Sequence, residues 1–287
     1  MAFRSFERLL FGFAFSPSLK ANAFEVMRLA HFLNAELIFV HVGKQTSQKE
    51  KQFDKLITLC EKRPKKVSVK WESGEPVKTL LECCNKYDID LLVLGALKRE
   101  NMVKFYMGSI ARKLTRKANC SVLLILNPSV ERTTCTHIVV NGFESPQTAD
   151  TIQAAFYFGN ALGTLKITLV EEISRSKVAV TVNDNRSLRM ATLKKERLKR
   201  AEDLRLHDII NSVPDKNKNQ IKWQTQSIFG KRGYSIGHYA RVIRADLLVM
   251  NAVQDTSFYQ RFFPKDVEHI LAELPTNVLI VQSKENV

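Results

Sequence analysis

Seven bases lie between residues 96 and 117, namely Lys98, Arg99, Lys104, Arg112, Lys113, Arg116 and Lys117, against the single acid Glu100. A cluster of one sign concentrates anions, so its natural chemistry is the holding of a phosphate or carboxylate. Arg112 to Lys117 have a second use, because cations in the last turns of a helix complement its dipole. No aromatic residues interleave with these bases in the manner of a base-stacking surface, and sequence-specific nucleic-acid reading is not expected. A second cluster, Gly230-Lys231-Arg232-Gly233-Tyr-Ser-Ile-Gly237, joins glycines that let backbone N–H groups approach an anion to two cations beside them. The same residues equally describe a flexible turn with solvated charges. His31, His41, His137, His207, His238 and His269 stand apart from any Cys or carboxylate at metal-ligand spacing, and neither a G-x-S-x-G elbow nor a Walker loop is present. His41 closes an apolar run and reads as a satisfied buried polar residue. The side chains offer anion binding rather than turnover, and no catalytic or metal-ligating residue is assigned.

The chain that must position these groups has 287 residues, 45% hydrophobic and 25% charged, which is ordinary globular composition and excludes collagen, coiled coil and wholesale disorder. Lys and Arg number 44 against 29 Asp and Glu, a net charge of +15 that favours anionic partners without naming one. The five cysteines, Cys60, Cys83, Cys84, Cys120 and Cys135, include no C-x-x-C and sit mostly in apolar runs, which suits reduced thiols and a cytoplasmic location. Arg4 and Arg8 before the apolar Leu9 to Phe15 imitate a signal peptide, but Glu7 and Lys20 interrupt the pattern, and the run reads as a buried strand. No segment approaches the length of apolar chain that a bilayer requires, and a membrane is not among the expected partners.

Internal similarity organises the chain. At an offset of 129 residues, Ser16-Pro17 falls on Ser145-Pro146 and Ile38-Phe-Val on Ile167-Thr-Leu. At an offset of 156, Asp90-Leu-Leu-Val-Leu-Gly-Ala96 falls on Asp246-Leu-Leu-Val-Met-Asn-Ala252, and Ser121-Val-Leu-Leu-Ile125 on Asn277-Val-Leu-Ile-Val281. The expected domains are therefore 1–128 and 137–287, joined by a polar linker at 129–136, with a polar insert near 174–219 in the second. Within each copy, short apolar runs alternate with helical periodicity, the pattern of a parallel sheet covered on both faces. Strands are expected near 8–14, 36–42, 66–72, 90–95 and 121–126, then near 137–142, 165–171, 220–226, 246–251 and 277–282. Helices are expected near 18–33, 47–62, 76–87 and 109–118. A long basic helix near 186–211 carries Leu188, Leu193, Leu198, Leu204 and Ile209 among its charges; such a helix can lie on a membrane or nucleic acid, but reads here as a covering helix with a solvated face.

A first strand ending in a Ser-containing turn, a second closing in Val40-His-Val42, and a fourth reading Asp90-Leu-Leu-Val-Leu-Gly95 before a Gly108-Ser109 helix start together resemble the universal stress protein family, twice in one chain. The resemblance implies an α/β fold of two tandem five-stranded parallel-sheet domains, Rossmann-like and of the adenine nucleotide alpha hydrolase type. It also implies that they pack as an internal pseudo-dimer, with the terminal strands Ser121 to Leu126 and Asn277 to Gln282 paired antiparallel.

Members that bind ATP carry G-x2-G-x9-G-[ST] after the fourth strand, where glycine amides and a helix N-terminus receive phosphate. The resemblance carries this over to Gly95, Lys98, Gly108 and Ser109, with Lys98 standing where the family has its second glycine. Val42 and Leu94 match positions lining the adenine pocket, and the Asp that recognises adenine and ribose is replaced by Ala14. In the second copy the spacing reads Asn251, Gln254, Pro264 and Lys265, with Phe143 at the Asp position, and nucleotide is not expected there. Lys104 and Tyr106 are expected to cover any ligand. The cofactor implied is ATP or AMP, weakly held in the first copy. Two alternatives stand beside that reading: a non-nucleotide protein-interaction module, and a slow ATP hydrolase. Expected partners are the second copy within the chain, a further copy in a homodimer, and an unidentified protein or anion.

Overall fold

A computed structural model describes residues 3–98, 105–106, 108–131, 134–178, 181–218, 220–230, 234–251, 270–271 and 274–283, with the side chains at 97, 98, 105 and 106 set aside. In the first half β1 (Arg8–Phe13), α1 (Leu19–Phe32), β2 (Glu36–Val42), α2 (Ser47–Thr58), β3 (Val67–Glu72), α3 (Pro76–Lys86) and β4 (Leu91–Gly95) follow one another. A two-stranded ribbon of β5 (Leu97–Lys98) and β6 (Phe105–Tyr106) leads to α4 (Ser109–Lys117) and β7 (Ser121–Ile125). The second half runs β8 (His137–Asn141), α5 (Thr148–Leu162), β9 (Lys166–Ser174), α6 (Arg175–Val178), α7 (Asn185–Asn211), α8 (Asp215–Lys218), β10 (Lys222–Gly230), α9 (Tyr234–Val242), β11 (Leu247–Asn251) and β12 (Asn277–Val281).

One ten-stranded sheet holds the molecule, in the order β10-β9-β8-β11-β12-β7-β4-β1-β2-β3. Read outward from the centre, each half has the same succession of strands, and all pairings are parallel except that of β12 with β7. Parallel strands joined by helices are covered on both faces, so they read as continuous apolar runs. Leu91, Leu92, Val93 and Leu94 are all buried, as is every residue of β7. Alternate side chains divide between two layers: Leu9, Phe11 and Phe13 join the layer under α1, α2 and α5, while Leu10, Leu92 and Leu94 pack with residues of α3 and α4. Helix α5 ends where Gly163 takes a left-handed backbone (φ 75°) that a side chain would resist. The observed strands fall where the sequence puts them, but β9 and β10 each run three or four residues further, to Ser174 and Gly230.

Two equivalent carboxylates fasten the halves in the same way. Asp90 Oδ2, just before β4, accepts the backbone N–H of Glu7 and Arg8 at 3.1 and 3.0 Å. Asp246 Oδ2, just before β11, accepts those of Thr136 and His137 at 2.7 and 2.9 Å. Each ties the first strand of its half to the fourth, which is why an acid stands before Leu-Leu-Val in both. The seam between halves is also nearly twofold. Leu123 pairs with its own equivalent Leu279. Leu126 N–H donates to Asn277 Oδ1 at 2.9 Å, and the equivalent Gln282 N–H donates to Ser121 Oγ at 3.0 Å.

Replacing Asp90 or Asp246 by Ala strands two backbone donors in each case. Each change is expected to lower stability by about 1–3 kcal/mol, and by similar amounts. Urea denaturation of the two variants checks this; a silent change at one position alone would break the equivalence.

Candidate functional site

In a parallel sheet, ligands gather at the carboxyl ends of the strands. In the first half that edge is formed by Phe13 to Ser16 after β1, His41 and Val42 closing β2, Trp71 near the end of β3, and Leu94 and Gly95 closing β4. Helix α4 starts above it. Gly108 is its N-cap, extended at φ −60° and ψ 162°, with no side-chain cap and no acid in the first turn. Ser109 is exposed. The first amides of α4 therefore lack the side-chain acceptor that Ser, Thr or Asp supplies at a capped start, and their dipole favours an anion. By contrast, α2 and α3 are capped by Thr46 and Glu75. Arg112 and Lys113, exposed on α4, add positive charge near that start.

Gly95 packs against α1. A Cβ built there would lie 3.1 Å from Asn22 Oδ1, so the position tolerates no larger residue without displacing that amide. Asn22 is buried, its Nδ2 donates to Ser18 O at 3.0 Å, and its Oδ1 accepts from no group among the described residues. Sequence reading did not single out Asn22; its one signal was a polar residue within the apolar stripe of α1.

Beside Val42 the edge is filled by aromatic rings of the chain itself. Phe13 stacks on Phe53 with centroids 4.2 Å apart, and Phe15 lies nearly parallel to Trp71 at 6.2 Å. His41 touches Phe13, Phe15 and Trp71 at 5.3, 5.3 and 5.1 Å. Its Nδ1 lies 3.0 Å from Phe13 O, which fixes that nitrogen as the donor, while Nε2 is buried without a partner among the described residues. The expectation of a satisfied histidine holds for one ring nitrogen and fails for the other. Lys49 Nζ lies 5.5 Å above the Phe15 ring. Ala14 is exposed, so the residue at the Asp position offers the edge a methyl group and open room.

Lys98 lies in β5, antiparallel to Phe105 of β6, so its backbone is part of the ribbon that joins β4 to α4. Its side chain, together with Arg99 and Lys104, falls outside the described residues, as do Lys231, Arg232, Gly233, Gln254, Pro264 and Lys265. Gly230 ends β10 with its Cα hard against Ser235, leaving 2.1 Å between a built Cβ and the hydroxyl oxygen.

The second half uses the same edge differently. Val42 corresponds to Glu171, Phe13 to Gly142 and Gly95 to Asn251. Glu171 is buried, and Arg205 from α7 reaches it at 2.9 Å, also donating to Gly142 O at 2.5 Å and, through Nε, to Glu202 at 2.8 Å. Glu172 Oε1 accepts the Ile236 N–H at 2.7 Å, so an internal carboxylate already occupies the start of α9 where the glycine cluster suggested an external anion. Asn251 Nδ2 donates to Ser145 Oγ at 2.7 Å. Sequence reading missed Glu171 and Glu172, although two successive acids ending an apolar strand were there to be seen.

A cavity of about 660 Å³ lies against the seam, lined by Leu29, Phe32, Leu123, Ile125, Phe158 and Cys135 among others. Its charged lining is engaged internally: Arg28 holds Glu25 and the carbonyl of Val130, and Asp246 holds the amides before β8. Burial pushes the Cys135 thiol up to about 12, so it is protonated and inert at neutral pH. Among the described residues no group of three His, Cys, Asp or Glu could hold a metal ion.

Residues 5–125 match the Universal stress protein family. A universal stress protein of Methanocaldococcus jannaschii is 26% identical over 77 residues, 27% of this chain and 45% of that protein, so the match spans less than half the relative's length. A protein of unknown function from Pseudomonas aeruginosa PAO1 superposes with a TM-score of 0.71 at 16% identity, covering 96% of this chain and 92% of that one. A universal stress protein from Archaeoglobus fulgidus DSM 4304 superposes with a TM-score of 0.64 at 13% identity, covering 98% and 99%. The solved structures share the fold across both halves.

Removing Arg205 withdraws the cation from a buried carboxylate, so Arg205→Ala is expected to cost about 3 kcal/mol. Pairing it with Glu171→Leu should recover most of the loss. Denaturation of the single and double variants measures this, and additive losses would show that the pair is not what closes this edge.

Proposed function

We propose, from the premise that residues 5–125 make this chain a universal stress protein, that it serves stress response by binding rather than by turnover, through a single phosphate-accepting edge in its first half. On this reading 1–128 and 137–287 are its two domains, 129–136 joins them, and the five cysteines, none of them in a disulfide, suit a reducing cytoplasm. The observation that carries the reading is the start of α4, a basic helix that begins at Gly108 with no side-chain cap. Gly108 and Ser109 would receive phosphate oxygens, Gly95 would allow close approach beside Asn22, and Leu94 and Val42 would flank a base. ATP or AMP is the ligand class that fits, weakly held, because Ala14 supplies no acceptor for the base or ribose. The second half holds no nucleotide: Glu171, Glu172 and Asn251 bond within the protein where a ligand would need room or positive charge.

A second reading, a protein-interaction module without nucleotide, draws on the aromatic cluster of Phe13, Phe15, His41 and Trp71 that fills the space beside Val42.

Calorimetric titration with ATP decides between them. The first reading expects one site per chain, weaker than about 1 µM, lost in Gly108→Asp and strengthened in Ala14→Asp by about ten- to a hundredfold, the worth of one charged hydrogen bond. Absence of heat for the native chain and for Ala14→Asp alike would leave the second reading standing.

A further inference from the structure

Helix α7 was expected to be a covering helix with a solvated face; its last third covers the sheet, and most of the rest is solvated. Of its 27 residues only Ala191, Leu206 and Ile210 are buried. Leu188, Met190, Leu193 and Leu204 are 53%, 56%, 38% and 60% exposed. Its last third is anchored: Arg205 grips Glu171, and His207 packs edge-on against Trp223. Toward its start it is held by its own capping box, Asp184 Oδ1 accepting the Ser187 N–H at 2.7 Å and Ser187 Oγ accepting the Asp184 N–H at 3.0 Å. Those bonds lower the Asp184 carboxyl below its ordinary value, so the cap stays charged and intact at neutral pH. The cap keeps the start of the helix from fraying, and the contacts of its last third set which face turns outward.

That face has a definite composition. At about 100° per residue, Arg186, Arg189, Met190, Leu193, Arg197, Arg200 and Leu204 fall within an arc of about 100°, opposite the buried Ala191 and Leu206. All seven are exposed. Four arginines thus alternate with three large apolar side chains along about 27 Å of helix. Lys194 lies beside the stripe, whereas Lys195 and Lys199 fall on the opposite side of the helix; the acid Asp208 falls at the margin of the stripe, with Glu196 and Asp203 beside it.

We infer that this face of α7 docks on an anionic phospholipid surface, lying in the plane of the headgroups. The stripe asks for a partner offering negative charge and apolar depth together. A lipid surface has both: phosphates for the guanidinium groups, and the acyl boundary for Met190, Leu193 and Leu204. A polynucleotide backbone meets the arginines but leaves the apolar side chains against sugar and phosphate. A second copy of α7 would set arginine against arginine. Bearing this many charges, the helix lies on a bilayer and does not cross it; no helix among the described residues is long and apolar enough to span one. The inference departs from the expectation that no membrane takes part, and it is independent of the nucleotide edge.

Sedimentation of the full chain with vesicles tests it. Binding is expected to mixed phosphatidylglycerol and phosphatidylcholine vesicles and not to phosphatidylcholine alone, and should fall steeply as salt rises. Each of Arg189→Gln, Arg197→Gln and Arg200→Gln should weaken it by about fivefold, the equivalent of about 1 kcal/mol per basic residue near an anionic surface. Leu193→Ser with Leu204→Ser should weaken it further at fixed charge, with the thermal transition unchanged because both side chains are exposed. Failure to sediment with the anionic vesicles overturns the inference. So does binding unaffected by these substitutions, or binding of polyglutamate or polyuridylate through the same arginines with the vesicles ignored.

Discussion

Leu123 and Leu279 meet at the antiparallel junction of the ten-stranded sheet, and the pairing of β7 with β12 constrains everything built outward from it. Each strand is almost wholly apolar and buried, and either one left as an edge would be a template for aggregation. Joined, they hide each other. The true edges are β3 and β10, half-exposed and carrying Lys70 and Lys222, as edges must to stay unpaired. Because the junction is antiparallel while each half is parallel, the carboxyl ends of the two sets of strands point to opposite ends of the molecule. The two ligand edges share no space, and each has to succeed or fail alone.

They have diverged in chemistry while keeping one frame. At corresponding positions stand Ala14 and Phe143, Val42 and Glu171, Gly95 and Asn251. The second half has turned its edge inward: Arg205 on Glu171, Ile236 on Glu172, Asn251 on Ser145. Buried charges are stable only when paired, so a ligand there would have to break a satisfied network before making contacts of its own. In the first half the corresponding space keeps an uncapped helix start, which favours an anion, and a buried amide oxygen with no partner among the described residues, which favours a donor such as a hydroxyl. The aromatic cluster of Phe13, Phe15, His41 and Trp71 fills the space beside Val42.

The frame was legible in the sequence because its causes are local and repeated. Asp90 and Asp246 announce the strands they fasten, and the matching runs from Ser121 and Asn277 mark the seam. The site was only half legible. Gly95 and Gly108-Ser109 were named only through the resemblance to a family motif, and the structure puts them at the end of β4 and the start of α4. Asn22, Glu171 and Glu172 were not found, because what gives them meaning is the neighbour that the fold brings to them from a distant part of the chain. Helix α7 was legible in part: a covering helix with a solvated face was expected, but its leucines do not say how much of its length meets the sheet.

The central claim is that two halves of one frame offer one open edge. Backbone amide NMR during titration with ATP tests it most directly, because both edges are observed in one experiment. The account predicts shifts confined to Gly95, Ser109, Ile110 and their neighbours, saturating as a single site, with Gly142, Asn251 and Ile236 unmoved. Shifts at the second edge, or none at either up to millimolar nucleotide, would contradict it.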